Sequence, residues 1–405
     1  MPDTTAFRAA SHNWRLYCGQ QAIEQGLKES VVRVRAKRAF VVCSRSVNRR
    51  TDTVRRIEAA LGDLYAGVYD GIEKDSTYAS VLAAKEAATE AGADLLIAVG
   101  GGSVMVATRV VAIYMAEAGS PFEIMTQYPE GKPAYSPRLL APKPPVINIP
   151  TTPTSAMNRS GAGLKNPDLD HRMEYFDPKT RPGAIFIDEA ALLTAPRELI
   201  RSTATTGFAG LVGAMAQTEI NPLAEASRNH AFRLVHRAYP RLIDEPDSAS
   251  PRVDFCIAAL LSNRAEDDGF RRPRGGTFSG DYAVSTALHV RYPHVGQGES
   301  TSVVHATKIR LSEKIDPRSA RQVAEALEVW HSNMDTRQAA LAVADLLDDL
   351  YTRVGVPTRL RQLDIPRDDL RAIANETVKN FNANAGMRSE AEQIEDAVRL
   401  LEAAY

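Results

Sequence analysis

The sequence predicts an α/β fold, in which an N-terminal domain with a mostly parallel sheet precedes an all-helical domain. Short apolar runs alternate with helical patterns as far as Asp188, which is typical of parallel strands joined by crossover helices. From Glu189 onwards the patterns are those of successive amphipathic helices. The third observation is a glycine turn at 98–103, after an apolar run and before a helical pattern. We therefore expect domains at 1–193 and 194–405.

Each expected element follows from its local pattern. The strands are short apolar runs, namely Ala39–Cys43, Gly67–Gly71, Leu95–Val99, Val146–Ile149 and Ala184–Asp188. Helices of the first domain show apolar residues three or four positions apart, as in Thr51–Leu61, Ser80–Ala91 and Ser103–Ala118. In the second domain the same spacing predicts helices at Arg321–Trp330, Arg337–Val354 and Ser389–Ala404.

Composition and charge exclude several classes of protein. Hydrophobic residues make up 44% of the 405 residues and the formal net charge is −1, so neither nucleic acid nor an anionic membrane is an expected partner. The apolar segment Leu95–Ala116 contains a run of glycines and Arg109, and is expected as a strand and a helix rather than a membrane span. Three separated cysteines and no visible signal sequence favour a cytoplasmic protein without a disulfide framework.

The glycine turn is suited to a phosphate group. Gly100, Gly101 and Gly102 let the backbone approach an anion, and the first free N–H groups of the following helix point towards it. Glycine turns are common in loops of many kinds. The meaning of this one therefore depends on motifs elsewhere in the chain.

Such motifs occur in order along nearly the whole chain. They are the glycine turn with Ser103, Pro150–Thr152, the helix 207–216, the stretch 221–226 and the turn Gly355–Pro357. Together they resemble the iron-containing alcohol dehydrogenase family, within the dehydroquinate-synthase-like superfamily. The resemblance implies a dinucleotide-binding domain, a helical domain, an active site in the cleft between them, and a homodimer.

The resemblance also implies which residues contact the cofactor. Gly101–Ser103 would hold the pyrophosphate of a nicotinamide cofactor. Thr151, Thr152 and Ser155 fall where family members line the nicotinamide and the ribose. The alternative for the threonines is a strand-end turn whose hydroxyls are satisfied within the protein.

The position after the first expected strand bears on the choice between NADPH and NADH. Members of the family that prefer NAD have an aspartate there, on the adenosine ribose 2′-hydroxyl. This chain has Ser44, followed by Arg45, Arg49 and Arg50. An aspartate would repel a 2′-phosphate, whereas serine and arginine accept one. We expect NADPH, with NADH as the alternative if the arginines are only solvated charges.

The metal ligands of the family are not matched. In the family an aspartate and a histidine on one helix face, followed by two later histidines, hold iron or zinc. Ala209 and Gly213 stand at the first two positions and Ser285 stands at the third. The fourth position is Gln297, or His294 if the alignment is shifted. Catalytic metal sites use about three protein ligands, so no metal is expected.

Without a metal, another group has to donate a proton or stabilise charge on the carbonyl oxygen. His289 matches a pocket histidine of the family and is the expected general acid, because imidazole titrates near neutrality. His294, Tyr282 and Tyr292 lie close in sequence and are alternatives. Arginines that could bind a substrate carboxylate are Arg264, Arg271, Arg272 and Arg274.

Further departures from the family concern the substrate. Val106 and Arg109 replace an aspartate and a lysine, and Ser155–Asn158 replaces a Thr-Gly-Ser-Glu run. We expect an NAD(P)H-dependent reductase of a small carbonyl or imine, in secondary or specialised metabolism, since a protonated imine needs no Lewis acid. The alternatives are a maleylacetate-reductase-like activity, a lyase of the dehydroquinate synthase branch, and an inactive dinucleotide-binding pseudoenzyme.

Overall fold

The computed structural model describes residues 6–129, 134–169, 171–271, 276–378 and 389–405. The chain divides into two compact units. The N-terminal unit is His12–Ala195, and the C-terminal unit is Pro196–Tyr405 together with the segment that ends at Ser11. The roles assigned from the sequence to domains 1–193 and 194–405 stay predictions.

The strands of the N-terminal unit are β1 (Arg15–Gly19), β2 (Ala39–Cys43), β3 (Tyr65–Tyr69), β4 (Leu95–Gly100), β5 (Val146–Pro150), β6 (Gly161–Leu164), β7 (Met173–Phe176) and β8 (Ala184–Asp188). Within the described ranges, six of them form a sheet in the order β1-β8-β5-β4-β2-β3, in which every pairing is parallel. The remaining two, β6 and β7, form an antiparallel hairpin. The mostly parallel sheet expected from the sequence is confirmed.

Three of these strands lie outside the apolar runs that predict the others. Within the described residues the edge strand β1 pairs only with β8, and it is only partly buried, with Leu16 38% exposed. The sequence of β6 is Gly-Ala-Gly-Leu, and glycine weakens a strand pattern. Pairing makes these segments strands, with β1 paired to the distant β8 and β6 paired to β7 in the hairpin.

The helices of the N-terminal unit are α1 (Ala22–Arg33), α2 (Arg45–Arg50), α3 (Thr53–Leu61), α4 (Tyr78–Glu90), α5 (Gly102–Ala116), α6 (Pro121–Ile124) and α7 (Glu189–Leu193). The helix expected at Thr51–Leu61 starts later than predicted, at Thr53. Thr51 is extended, with φ −131° and ψ 167°, and its hydroxyl donates to the Val47 carbonyl at 2.6 Å. This bond closes α2, so that α2 and α3 are separate helices.

The helices of the C-terminal unit are α8 (Arg197–Met215), α9 (Pro222–Asp244), α10 (Ser250–Asp267), α11 (Tyr282–Arg291), α12 (Gln297–Leu311), α13 (Pro317–Ala326), α14 (Thr336–Val354), α15 (Leu370–Thr377) and α16 (Glu390–Ala404). Every regular element described after residue 195 is helical, which confirms the expected class. The helix predicted at Arg321–Trp330 is α13, which begins earlier because Asp316 accepts the Ser319 N–H at 2.8 Å as its N-cap.

The sheet places the carboxyl ends of β2, β4 and β5 at one edge, where open α/β sheets bind their ligands. Its faces are packed with apolar side chains such as Leu27, Val41, Ile97 and Phe186. Helices of the C-terminal unit share a core of their own, which includes Leu288. In the part of the chain that the structure describes, no helix is long and apolar enough to cross a membrane.

Candidate active site

The glycine turn joins β4 to α5 and leaves the first N–H groups of α5 without acceptors in the helix. Gly100 has a φ of +154°, in the region that favours glycine. A Cβ on Gly101 would lie 3.0 Å from Thr152 Oγ1, and a Cβ on Gly102 would lie 3.0 Å from Thr154 Oγ1. The turn therefore packs closely against the segment after β5. Side chains on these glycines would fill the space that an anion needs.

Thr151 and Thr152 continue directly from β5 beside this turn. Pro150 pairs with Gly100 in the sheet, and the Thr151 N–H donates to the Gly100 carbonyl at 3.0 Å. Both threonines are buried, and among the described residues Thr152 Oγ1 has no hydrogen-bond partner. Buried hydroxyls are almost always hydrogen-bonded, so this oxygen is suited to a ligand group bound at the turn.

Ser103 and Ser155 have different surroundings. The Ser103 hydroxyl accepts the Asp75 N–H at 3.1 Å, and the Ser103 carbonyl accepts the Ser76 hydroxyl at 2.7 Å. The side chain of Ser103 thus holds a neighbouring loop, while its main-chain N–H belongs to the open first turn of α5. Ser155 is exposed in a short 3₁₀ helix after β5.

Ser44 and Arg45 lie at the same edge of the sheet, after β2. Cys43 of β2 pairs with Val99 of β4, so Ser44 follows one strand away from the glycine turn. Its hydroxyl lies 3.0 Å from Ser46 Oγ, and Arg45 is exposed at the start of α2. The residue directly after β2 therefore carries no negative charge.

Asp70 lies one strand further along this edge, and the sequence analysis did not select its carboxylate. Asp70 follows β3, and its Oδ2 accepts Asn48 Nδ2 and Arg49 Nε, both at 3.1 Å. The bond from Asn48, together with the Arg49 charge, holds the pKa of Asp70 below its usual value despite partial burial. An acidic residue after a strand was a visible signal, but the sequence does not show that β3 is the neighbour of β2.

Arg109, which departs from the family pattern, points into the protein. It is fully buried, and its guanidinium donates to the carbonyls of Ala156 and Gly161. Burial, with smaller contributions from the Arg159 and Arg181 charges, lowers its pKa to about 9. Arg109 therefore anchors the segment after β5, and the Ser155–Asn158 region with it, to α5.

His289 lies in α11 of the C-terminal unit and is buried. Its Nδ1 is 3.0 Å from the Ser285 carbonyl oxygen. A carbonyl only accepts, so the neutral ring carries its proton on Nδ1. Nε2 is then the ring nitrogen that does not carry the proton of the neutral tautomer.

The other candidates from this part of the sequence differ from His289. His294 is exposed, and its Nε2 donates to the Leu363 carbonyl at 3.0 Å. Tyr282 is 52% exposed. Of the arginines considered for a substrate carboxylate, Arg264 pairs with Asp268 at 2.8 Å, Arg271 is exposed, and Arg272 and Arg274 lie outside the described residues.

The first two positions at which the resemblance implies metal ligands do not fit a metal. Ala209 and Gly213 are buried in α8 and have no donor atom in their side chains. A Cβ on Gly213 would lie 2.6 Å from Ser279 Oγ and 2.9 Å from Ser279 Cα. The space for a ligand side chain at Gly213 is therefore taken by the main chain at Ser279.

The later two of these positions, Ser285 and Gln297, take part in a cluster of hydroxyl groups at the start of α12. Ser285 Oγ lies 2.7 Å from Ser300 Oγ and 3.0 Å from Thr301 Oγ1. The hydroxyls of Ser300 and Thr301 in turn donate to the Gln297 carbonyl, at 3.0 and 2.8 Å. Among residues that the structure describes, no group of three or more His, Cys, Asp or Glu side chains is placed to hold a metal.

A second buried histidine, which the sequence reasoning did not select, positions Ser279. In α12, His305 Nε2 donates to the Phe278 carbonyl at 2.9 Å, and His305 Nδ1 accepts the Tyr351 hydroxyl at 2.7 Å. Burial lowers the pKa of His305 to about 4, so the ring is neutral near pH 7. It holds the loop before α11 in place.

Comparison with known families matches both halves of the chain. Residues 13–189 match the family described as iron-containing alcohol dehydrogenase. Residues 203–405 match the C-terminal region of the Fe-containing alcohol dehydrogenase family. Together these matches span far more than half of the chain.

Individual relatives are distant in sequence but similar in length and fold. Maleylacetate reductase 2 of Cupriavidus pinatubonensis is 26% identical over 287 residues, which cover 70% of this chain and 67% of the relative. The crystal structure of a 1,3-propanediol oxidoreductase covers 99% of this chain and 100% of its own, with 19% identity and a TM-score of 0.83. A sulfoacetaldehyde reductase from Bifidobacterium kashiwanohense in complex with NAD+ covers 98% and 99%, with 17% identity and a TM-score of 0.77. These structures share the fold.

Proposed function

The chain belongs to the iron-containing alcohol dehydrogenase family, and from that premise we propose that it transfers hydride from NADPH to a small carbonyl or imine without a bound metal. It is an NAD(P)-dependent oxidoreductase. One contrast carries the proposal. The N-terminal unit has an open glycine turn for the cofactor, whereas in the C-terminal unit Ser279 occupies the space of a metal ligand at Gly213.

The residues of the N-terminal unit account for cofactor binding. The open N–H groups of Gly102 and Ser103 bind the pyrophosphate, and Thr152 Oγ1 gains the hydrogen bond that it lacks. Thr151 and Ser155 line the nicotinamide and its ribose. When bound, the cofactor supplies the hydride.

The edge of the sheet after β2 favours NADPH over NADH. Ser44 carries no charge that would repel a 2′-phosphate, and Arg45 beside it is exposed. The Arg45 side chain binds a 2′-phosphate more strongly than it binds the free 2′-hydroxyl of the ribose, because an arginine–phosphate bond is charge-assisted. The Ser44 hydroxyl can donate a hydrogen bond to the same phosphate.

His289 donates a proton to the carbonyl oxygen as hydride reaches the carbon, or protonates an imine nitrogen before hydride transfer, with His294 as the second candidate. The bond from His289 Nδ1 to the Ser285 carbonyl holds the ring in one orientation. Nε2 is then the ring nitrogen that acts as the general acid.

The substrate is an electrophile that needs no Lewis acid. A protonated imine already carries positive charge at the reacting carbon, and an activated ketone is nearly as susceptible to hydride. The likeness to a maleylacetate reductase supports the activated ketone as the alternative. We place the reaction in secondary or specialised metabolism, and we expect a substrate other than a simple primary alcohol.

Metal independence is tested on the purified protein. We expect NADPH oxidation with a panel of aldehydes, ketones, cyclic imines and maleylacetate, at a rate unchanged after dialysis against a chelator. Stoichiometric iron or zinc whose removal abolishes the rate would overturn the metal-free mechanism. Tight cofactor binding without turnover of any substrate in the panel favours the inactive dinucleotide-binding protein instead.

The role of His289 is tested by substitution. His289→Gln is expected to lower kcat by about 10²-fold or more and to leave the Kd for NADPH unchanged. His294→Gln serves as the comparison and is expected to have a much smaller effect, because His294 is exposed whereas His289 is buried. A larger loss in His294→Gln would assign the proton to His294.

A further inference from the structure

Three strand ends lie side by side at the edge of the sheet that carries the glycine turn. The order is β4, β2 and β3, which brings Gly100, Ser44 and Asp70 to neighbouring positions. Ser44 and Gly71 form an antiparallel bridge, and the Ile72 N–H donates to the Cys43 carbonyl at 3.2 Å. The segment around Asp70 is therefore tied to the end of β2.

At this edge Asp70 orients one arginine of α2. Arg49 uses Nε for the bond to Asp70 Oδ2, at 3.1 Å. Because this bond is made by Nε, the inner nitrogen of the guanidinium, it restrains the plane of the group without using the terminal nitrogens as donors. The Arg49 side chain is 67% exposed, so these terminal nitrogens are accessible to an anion.

Asp70 is a support for this arginine rather than a competitor for the ligand. The same Oδ2 also accepts Asn48 Nδ2 at 3.1 Å, so this carboxylate oxygen has two donors from α2. Arg45 contributes a further positive charge nearby. The negative charge of Asp70 is thus compensated within the protein, and a 2′-phosphate beside Arg49 meets a net positive surface.

We propose that Arg49, oriented by Asp70, binds the 2′-phosphate of NADP(H) and that Asp70 is a positioning residue for cofactor specificity. This inference rests on the proposed function, which places the adenosine ribose beside Ser44. An arginine presents its terminal nitrogens to phosphate in a planar fork, and orientation by a carboxylate reduces the side-chain freedom lost on binding. Asn48 strengthens the support from the other side.

Binding of two nucleotides to the protein without substrate tests the inference. The probes are ADP and its 2′-phosphorylated form, and calorimetry measures the ratio of their Kd values. We expect the wild-type protein to bind the 2′-phosphorylated probe at least about tenfold more tightly, as one charge-assisted contact supplies. Arg49→Gln is expected to remove about tenfold of that preference with the Kd for ADP unchanged.

Asp70→Asn distinguishes orientation from simple charge. If Asp70 orients Arg49, this variant lowers the preference for the 2′-phosphorylated probe by several-fold, although it adds net positive charge. Arg55→Gln, an exposed arginine of α3, is the matched control and is expected to keep the wild-type ratio. An unchanged ratio in Arg49→Gln, or an unchanged or raised ratio in Asp70→Asn, overturns the inference while the choice of NADPH stands. A wild-type protein that binds both probes equally overturns the choice of NADPH itself.

Discussion

At the scale of single residues, buried polar groups in this protein serve as internal supports. His305 is fully buried, donates to Phe278 and accepts from Tyr351. Gly213 shows the complementary case, because the absence of its Cβ lets Ser279 approach α8. Each of these residues acts on a segment far away in sequence, so its role depends on the fold that surrounds it.

The titration of His305 makes stability depend on pH. An unfolded histidine has a pKa of about 6.5, and burial lowers the pKa of His305 in the folded protein to about 4. The unfolded state therefore binds the extra proton first, and stability falls as the pH drops from about 6.5 towards 4. The expected loss is on the order of 3 kcal/mol.

Unfolding by urea at several pH values measures this effect. His305→Gln keeps a donor for the Phe278 carbonyl and removes the titrating group, so its stability should fall less steeply over the same pH range. A variant whose stability parallels that of the wild-type protein at every pH would show that other groups cause the acid sensitivity.

At the scale of elements, one buried carboxylate joins the last strand of the sheet to three helices. Asp188 ends β8, accepts the Ala191 N–H as the cap of α7 at 2.9 Å, and accepts both terminal nitrogens of Arg56 at 2.9 Å. Asp188 is fully buried. It also accepts the Ile23 N–H of α1 at 3.4 Å, so one carboxylate holds α1, α3 and α7 at the strand end.

Removal of this charge should destabilise the N-terminal unit. Asp188→Asn leaves the half-buried Arg56 without its buried partner, and we expect a loss of about 3 kcal/mol in the free energy of unfolding. Glu29→Gln is the control, because the exposed pair of Glu29 with Arg33 along α1 is worth less than about 0.5 kcal/mol. Equal losses in the two variants, measured by denaturant unfolding, would contradict this assignment.

At the scale of the whole molecule, the sheet ends at an edge strand, β1. Among the residues that the structure describes, β1 pairs with β8 on one side only, and edge strands present main-chain groups that another chain can pair with. Leu16 of β1 is 38% exposed. We propose that the protein is a homodimer and that β1 contributes to the contact.

Sedimentation measures the oligomeric state directly. The wild-type protein is expected to sediment at twice the chain mass of 44.1 kDa, and Leu16→Lys is expected to shift it towards the monomer by placing a charge at the contact. Val32→Lys, at an exposed position of α1, should remain dimeric. A monomer at micromolar concentration in the wild-type protein would refute the proposal.

The sequence by itself determined the features that depend on short stretches of chain. Central strands such as Leu95–Gly100 are buried on both faces and read as continuous apolar runs, and the glycine turn follows directly from its residues. The absence of donor atoms at Ala209 and Gly213 is likewise a matter of residue type.

Only the tertiary structure decided which distant residues meet. The bond between Asp70 and Arg49, the approach of Ser279 to Gly213 and the strand at β1 all depend on partners far along the chain. Local patterns report propensity and burial, whereas strand order and close packing arise when the whole chain condenses. For this reason the sequence pointed to the cofactor turn, and the structure was needed to show how the space beside Gly213 is filled.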